Sequence, residues 1–133
     1  MKLNESSLYV FNRECKSFMK TDSCRLIEQK CNKKCLNQDE RKLLNSEIRF
    51  TFTLLIKTLM EACPSLTKED VIFCCLAKSG LDKSIICRCM GSISEKTIKQ
   101  RKYRVKKKMK ETQFGFLFDL IFATHIITER MQP

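Results

Sequence analysis

The scarcity of turn-forming residues is the feature that most constrains this chain. Only three glycines and two prolines occur among its 133 residues. Because sheets need frequent tight turns, and tight turns use glycine and proline, this scarcity predicts long helices. Hydrophobic residues make up 43% of the sequence, which is enough to build a core and argues against wholesale disorder. We therefore expect an all-α protein.

The first 63 residues carry apolar stripes with helical spacing. One stripe runs over residues 8–18, with Asn4 placed to cap its start, and a second runs over residues 24–35. A third pattern predicts one long helix over residues 40–63, which Pro64 ends because proline cannot continue the helix. We interpret residues 1–63 as a helical arm that forms a hairpin or a dimerisation region.

Helix boundaries are clearer in residues 64–133. Thr67 begins a capping box of the aspartate type, and Gly80 stands where a helix ends in a left-handed residue. Asp82 is placed to cap a short helix that ends at Gly91, and Ser94 is placed to cap a third helix. Three helices separated by short turns are the arrangement of a helix-turn-helix unit.

The positive charge of the chain is concentrated in the last of these three helices. The net charge is +11, and residues 95–110 contain nine lysines and arginines but one glutamate. Local basic charge of this kind is typical of surfaces that bind nucleic acid or another polyanion. In the same helix Ile98, Val105 and Met109 mark an inner face. The outer face then carries Lys96, Lys99, Gln100, Tyr103, Arg104 and Lys107, as a helix that reads the major groove requires.

Residues 66–110 resemble the C-terminal DNA-binding domain of LuxR/GerE-type regulators, whose helix-turn-helix frame is shared by sigma-factor region 4. The matching positions are LTKED at 66–70, GL at 80–81, IC at 86–87, Met90, and ISEKTIK at 93–99. The sequence departs from the family pattern at Ser92, an extra residue in the turn, and at Cys87, which replaces a small alanine. The resemblance implies a helix-turn-helix domain with a C-terminal helix.

The resemblance also implies double-stranded DNA as the partner and assigns roles by position. The base-reading residues it implies are Lys99, Gln100 and Tyr103. The residues better suited to phosphate contacts are Thr67, Ser94, Lys96, Arg101, Arg104 and Lys107. The implied function is a DNA-binding transcriptional regulator. The alternative is a helical module that binds another protein, such as polymerase or a sigma factor, without sequence-specific DNA readout.

The last predicted helix, over residues 112–130, is apolar on nearly all sides and must be covered on most faces. Helices of the same chain can cover some of it, and a second copy would cover the rest, so we expect a homodimer. The residues behind this expectation are Phe114, Phe116, Leu117, Phe118, Leu120, Ile121, Phe122, Ile126 and Ile127.

Several function classes lack support in the sequence. There is no glycine-rich phosphate loop and no nucleophile with a nearby histidine, so we expect neither an enzyme nor a cofactor. The nine cysteines include no C-x-x-C pair and the one histidine, His125, lies far from most of them, so we expect no metal. An odd number of cysteines without a signal peptide predicts reduced thiols in the cytoplasm. The longest apolar stretch, 114–127, is shorter than the ~20 residues of a membrane span, so no membrane partner is expected.

Overall fold

The computed structural model describes residues 3–92 and 94–131, with side chains as far as residue 123. Eight α-helices make up most of that part of the chain, and it contains no strand. The all-α prediction is therefore confirmed. In chain order the helices are α1 (Glu5–Phe18), α2 (Asp22–Lys30), α3 (Gln38–Thr51), α4 (Thr53–Ala62), α5 (Lys68–Lys78), α6 (Lys83–Cys89), α7 (Glu95–Lys110) and α8 (Phe116–Met131).

Polar side chains begin several helices where the sequence predicts them. The side chain of Asn4 accepts a backbone N–H of the first turn of α1, and Asp82 does the same for α6. Thr67 and Asp70 form the predicted capping box of α5. These bonds satisfy N–H groups that have no partner within their own helix. Gly80 has a φ of +85°, as expected for the residue that turns the chain after α5.

The prediction of a single helix over residues 40–63 is wrong, because the helix is interrupted at Phe52. Phe52 has φ −96° and ψ 48° and separates α3 from α4. The break is stabilised from α1, where the buried Glu14 carboxylate accepts the N–H groups of Leu54 at 2.8 Å and Leu55 at 3.1 Å. Because a negative charge is favourable at the start of a helix, Glu14 caps α4 from a position 40 residues earlier in the chain.

Two further helix boundaries differ from the predicted ones. The second stripe extends to residue 35, but α2 ends at Lys30 because the next segment turns onto α6, where the Leu36 N–H donates to the Arg88 carbonyl at 3.0 Å. The last helix begins at Phe116 and not at residue 112. Residue 112 instead lies in the turn after α7, where the Thr112 hydroxyl donates to a backbone carbonyl of α7 at 2.8 Å.

The buried apolar side chains of the described residues form one continuous core. Phe18 of α1 packs against Phe52 with ring centroids 5.5 Å apart, and Phe73 of α5 packs against Phe122 of α8 at 5.4 Å. Both α3 and α4 contact α5, so the first half of the chain supports the second. The division of the chain into an arm of residues 1–63 and a DNA-binding domain of residues 64–133 stays a prediction.

Within the chain α8 is covered mainly by α5 and α7. Four of its apolar residues are buried there: Leu117, Phe118, Ile121 and Phe122. These four need no second copy of the chain to cover them, whereas Phe116 is 49% exposed. Ile126 and Ile127, on which the expected homodimer also depends, lie outside the described side chains. Over the described ranges, none of the helices has the length and apolar character needed to cross a membrane.

Candidate nucleic-acid interface

The turn between α6 and α7 is held by a residue of α3. Gly91 in this turn has a φ of +85°, a conformation that favours glycine. A Cβ atom at this position would lie 2.8 Å from Nη1 of Arg41, so the guanidinium packs directly against the turn. The same Nη1 donates to the Leu36 carbonyl at 2.7 Å, which fixes the arginine in place.

The two departures from the LuxR/GerE pattern contact each other. The Cys87 thiol lies 2.8 Å from the carbonyl oxygen of Ser92 and 3.1 Å from that of Ser94, and donates to the turn. An alanine at this position would have no donor for these carbonyls. The buried cysteine therefore attaches the turn to α6. Ile93, the first residue of the ISEKTIK segment, lies outside the described residues.

A narrow apolar seam attaches α7 to the rest of the protein. Ile98, Val105 and Met109 are buried, which confirms the predicted inner face. The helix contacts both α6 and α8. Because the three residues are spaced by seven and four positions, they lie along one line of the helix and leave most of its circumference free.

The face opposite this seam is open to solvent. All six residues predicted to point outward are exposed: Lys96, Lys99, Gln100, Tyr103, Arg104 and Lys107. Four of them follow one another at spacings of three or four and form one stripe, namely Lys96, Gln100, Tyr103 and Lys107. Tyr103 is 69% exposed in the middle of this stripe. Lys99 lies to one side, where it lines a cavity with Lys106 between α7 and α8.

Arg101, which was expected to contact phosphate, turns toward α5. Its Nη1 lies 2.8 Å from Oδ1 of Asp70 and its Nη2 lies 3.2 Å from Glu69. Lys108 reaches the other oxygen of Asp70 at 2.9 Å. The Asp70 side chain is only 3% exposed, so these two cations join α7 to the first turn of α5 through a buried carboxylate. We call Asp70, Arg101 and Lys108 the α5–α7 clamp.

The pKa of the Asp70 carboxyl lies below its ordinary value. Burial acts to raise this pKa, but the hydrogen bond from the Thr67 N–H, at 3.0 Å, and the ion pair with Lys108 lower it by more. The carboxylate therefore remains ionised at neutral pH, and the clamp acts between full charges.

Thr67 and Ser94 lie exposed at the starts of α5 and α7. The Thr67 hydroxyl oxygen accepts the capping N–H at 3.1 Å, which leaves its O–H free to donate. The Ser94 side chain makes no capping bond among the described residues, while its N–H donates to Ser92 Oγ at 3.1 Å. The remaining residues assigned to phosphate are exposed along α7: Lys96, Arg104 and Lys107.

Two lysines of α7 have a structural role that sequence reasoning missed. Nζ of Lys102 lies 5.4 Å from the ring centroid of Phe122, and Nζ of Lys106 lies 5.6 Å from that of Phe118. A cation over an aromatic face is attracted by the ring electrons, so these lysines help to attach α7 to α8. Their spacing of four residues places both lysines on one side of α7, but the spacing alone does not identify the aromatic rings that they contact.

The cysteines are all free, and eight of the nine are buried. The sulfur atoms of Cys31 and Cys89 lie 4.0 Å apart. Burial raises the pKa of both thiols, and likewise that of Cys74 and Cys75 in α5. No group of three or more metal-binding side chains occurs among the residues that the structure describes.

Comparison of the chain with protein-family models, with curated proteins and with solved structures finds no match.

Proposed function

We propose that this protein is a DNA-binding transcriptional regulator whose helix α7 lies in the major groove of duplex DNA. The observation that carries the proposal is the division of α7 into two faces. Ile98, Val105 and Met109 form its buried seam, and the opposite stripe exposes lysine, glutamine and tyrosine side chains. A helix that reads base edges needs such a face of exposed donors on a fixed support.

The roles within α7 follow from where each side chain lies. Gln100 and Tyr103 are centred on the exposed stripe and are proposed to read base edges together with Lys99. Lys96, Arg104 and Lys107, with the helix starts at Thr67 and Ser94, are proposed to bind phosphates. Arg101 is held by carboxylates at 2.8 Å and 3.2 Å, so we propose that it orients α7 and no longer assign it to phosphate.

The experiment that tests this proposal compares two substitutions on the exposed stripe. Gln100→Ala should weaken binding to the preferred site by about 1–3 kcal/mol and relax its specificity, because it removes donors and acceptors that distinguish bases. Lys107→Ala should weaken binding to all duplexes alike, because it removes a phosphate contact. Fluorescence titrations with a selected site and a random duplex measure both effects. Equal losses for both variants on both duplexes would contradict these role assignments.

We also propose that the regulator acts as a homodimer. Two-fold dimers match paired half-sites on DNA, and Phe116 on α8 exposes an apolar side chain at 49% of its surface. Sedimentation at micromolar concentration should then give twice the mass of the chain, 15.6 kDa, and Phe116→Ser should shift the equilibrium toward monomer. A wild-type monomer under these conditions would contradict this part of the proposal.

A protein-binding module is the second candidate, and a groove between α4 and α5 favours it. The groove has a volume of about 700 Å³, and its apolar lining includes Ile56, Met60 and Ile72. The lining also contains three cations, Arg49, Lys57 and Lys68, and one acid, Glu61. This excess of positive charge would suit an acidic amphipathic segment of a partner such as polymerase or a sigma factor. Salt-dependent binding to random duplex DNA favours the first candidate, and its absence favours the second.

A further inference from the structure

We propose that α3 and the start of α5 bind the DNA phosphate backbone beside α7, so that the first half of the chain forms part of the DNA-binding surface. The proposal rests on the proposed function and names a second contact for the same ligand. It concerns Arg41, Asn45 and Arg49 of α3 together with Lys68 of α5, which we call the basic row.

The basic row faces the turn and the first half of α7. Arg41, Asn45 and Arg49 are spaced by four residues and therefore lie along one side of α3. With Lys68 they line a cavity of about 180 Å³. The other walls of this cavity include Ser92 of the turn and Thr97 and Arg101 of α7. Donors from three helices and a turn thus surround one small concave space.

The cations of the basic row have no acidic partner among the residues that the structure describes. Within the described part of the chain, no carboxylate lies at ion-pair distance from Arg41, Arg49 or Lys68. Glu69, which also lines the cavity, pairs with Arg101 at 3.2 Å. Four cations and one carboxylate therefore line this concave surface, and the excess of positive charge favours an anionic ligand. The guanidinium group suits phosphate oxygens in particular.

Hydrogen bonds fix the segment that leads into α3 against α6. Nη1 of Arg88 in α6 donates to the carbonyls of Cys31 at 3.0 Å and Asn32 at 2.9 Å. The Leu36 N–H returns a bond to the Arg88 carbonyl at 3.0 Å, and Arg41 packs against the turn at Gly91. The backbone that carries Arg41 and Arg49 therefore does not need to be ordered when a ligand binds, which lowers the entropic cost of the contact.

The position of the basic row suits the backbone that borders an occupied major groove. Thr97 and Arg101 of α7 line the cavity. About one helical turn after each of them, Gln100 and Arg104 lie on the exposed side of α7. A helix in the major groove has a phosphate backbone on either side of it. Basic side chains line cavities on both sides of α7: the basic row on one side, and a group that includes Lys99 and Lys106 on the other.

The test removes two exposed cations of the basic row that form no ion pair with any residue described in the structure. Arg49→Ala combined with Lys68→Ala should make the log–log dependence of affinity on salt shallower by about two, because each phosphate contact contributes about 0.9 to that slope. The affinity should fall by the same factor on preferred and random duplexes. Arg41 is left unchanged because it supports the turn.

Two single variants serve as controls. Arg25→Ala also removes a positive charge, but Arg25 lies on α2 and pairs with Asp22 at 3.2 Å. Helix α2 packs on the side of α3 that carries Glu47, whose carboxylate accepts the Ser23 N–H at 3.2 Å. No residue of α2 is among those that line the cavity. The slope should remain that of the wild type. Lys107→Ala should make the slope shallower by about one, because it removes a phosphate contact of α7 itself.

Each outcome separates the two proposals. If Lys107→Ala lowers the slope and the double variant does not, the basic row is not part of the interface, although the proposed function stands. If the wild type binds no duplex, both proposals are overturned. If Arg25→Ala lowers the slope as much per charge as the double variant, net charge explains the effect and the inference is overturned. If the double variant loses binding to poly-glutamate but retains the wild-type slope on DNA, the surface binds acidic protein segments instead.

Discussion

The substitution Asp70→Asn should destabilise the protein more than any other single change of a charged residue in α5. The asparagine amide would keep an oxygen for the Thr67 N–H but would carry no charge toward Arg101 and Lys108, which lie 2.8 Å and 2.9 Å from the native carboxylate. Removing one partner of a fully buried ion pair costs about 3–5 kcal/mol. The Arg101 side chain is 15% exposed and approaches this case, whereas Lys108 is 30% exposed and can turn to water. We therefore expect a loss of about 3 kcal/mol in the free energy of unfolding.

Urea unfolding and thermal melting measure this loss, and Glu69→Gln is the matched control. Glu69 pairs with the same arginine, but its side chain is 76% exposed, so its removal should cost about 0.5 kcal/mol or less. For a chain of 133 residues a loss of about 3 kcal/mol lowers the melting temperature by about 10 °C. A loss for Asp70→Asn that equals the loss for Glu69→Gln would refute the α5–α7 clamp.

The pH dependence gives a second test of the clamp. The folded pKa of Asp70 is lowered, so its contribution to stability is fully present above the unfolded pKa, ~3.9, and is lost as the pH falls through the lower folded pKa. The difference in unfolding free energy between the wild type and Asp70→Asn should therefore be constant near neutral pH and shrink below about pH 4. A difference that is unchanged in strong acid would show that charge is not its origin.

Three further predictions concern the supports of the fold. Glu14→Gln should destabilise the protein by about 2 kcal/mol in urea unfolding, because one carbonyl oxygen replaces two charged acceptors at the start of α4; a neutral result would contradict the cap. Gly91→Ala and Gly80→Ala should each cost about 1–2 kcal/mol for their left-handed backbone, with a larger loss at Gly91, where the new Cβ meets Arg41; equal losses would show that this contact is unimportant. Iodoacetamide should modify Cys35 in the native protein and all nine cysteines after unfolding, because the other eight are buried, and mass spectrometry counts the adducts; rapid native modification of several would contradict this packing.

The local signals in the sequence predicted several helix ends and the buried face of α7. The capping residues Asn4, Thr67 and Asp82 and the left-handed Gly80 act on their own helix ends, within three or four residues. The seam of α7 likewise follows from the period of one helix. Such features depend on short-range geometry, so they can be recognised without knowledge of the tertiary structure.

The features that sequence reasoning missed depend on residues that are distant in the chain. The break at Phe52 is stabilised by Glu14, and the inward turn of Arg101 depends on Asp70, 31 residues earlier. An apolar pattern that continues through a break looks the same as an unbroken helix. A basic residue beside an exposed stripe looks the same whether its partner is a phosphate or a buried carboxylate. The position of α3 against the turn at Gly91 is a contact of the same kind, because the periodicity of a helix does not identify the element that it packs against.

The salt dependence of binding to a random duplex tests the central claim most directly. If the three α7 cations assigned to phosphate and two cations of the basic row reach phosphates, these five contacts should give a slope of log affinity against log salt of about −4 to −5. Fluorescence anisotropy of a labelled duplex between about 50 and 200 mM salt measures it. A slope of about −4 or steeper is the predicted result. A slope near zero, or no binding at low salt, would contradict the account of α7 as a DNA-binding helix.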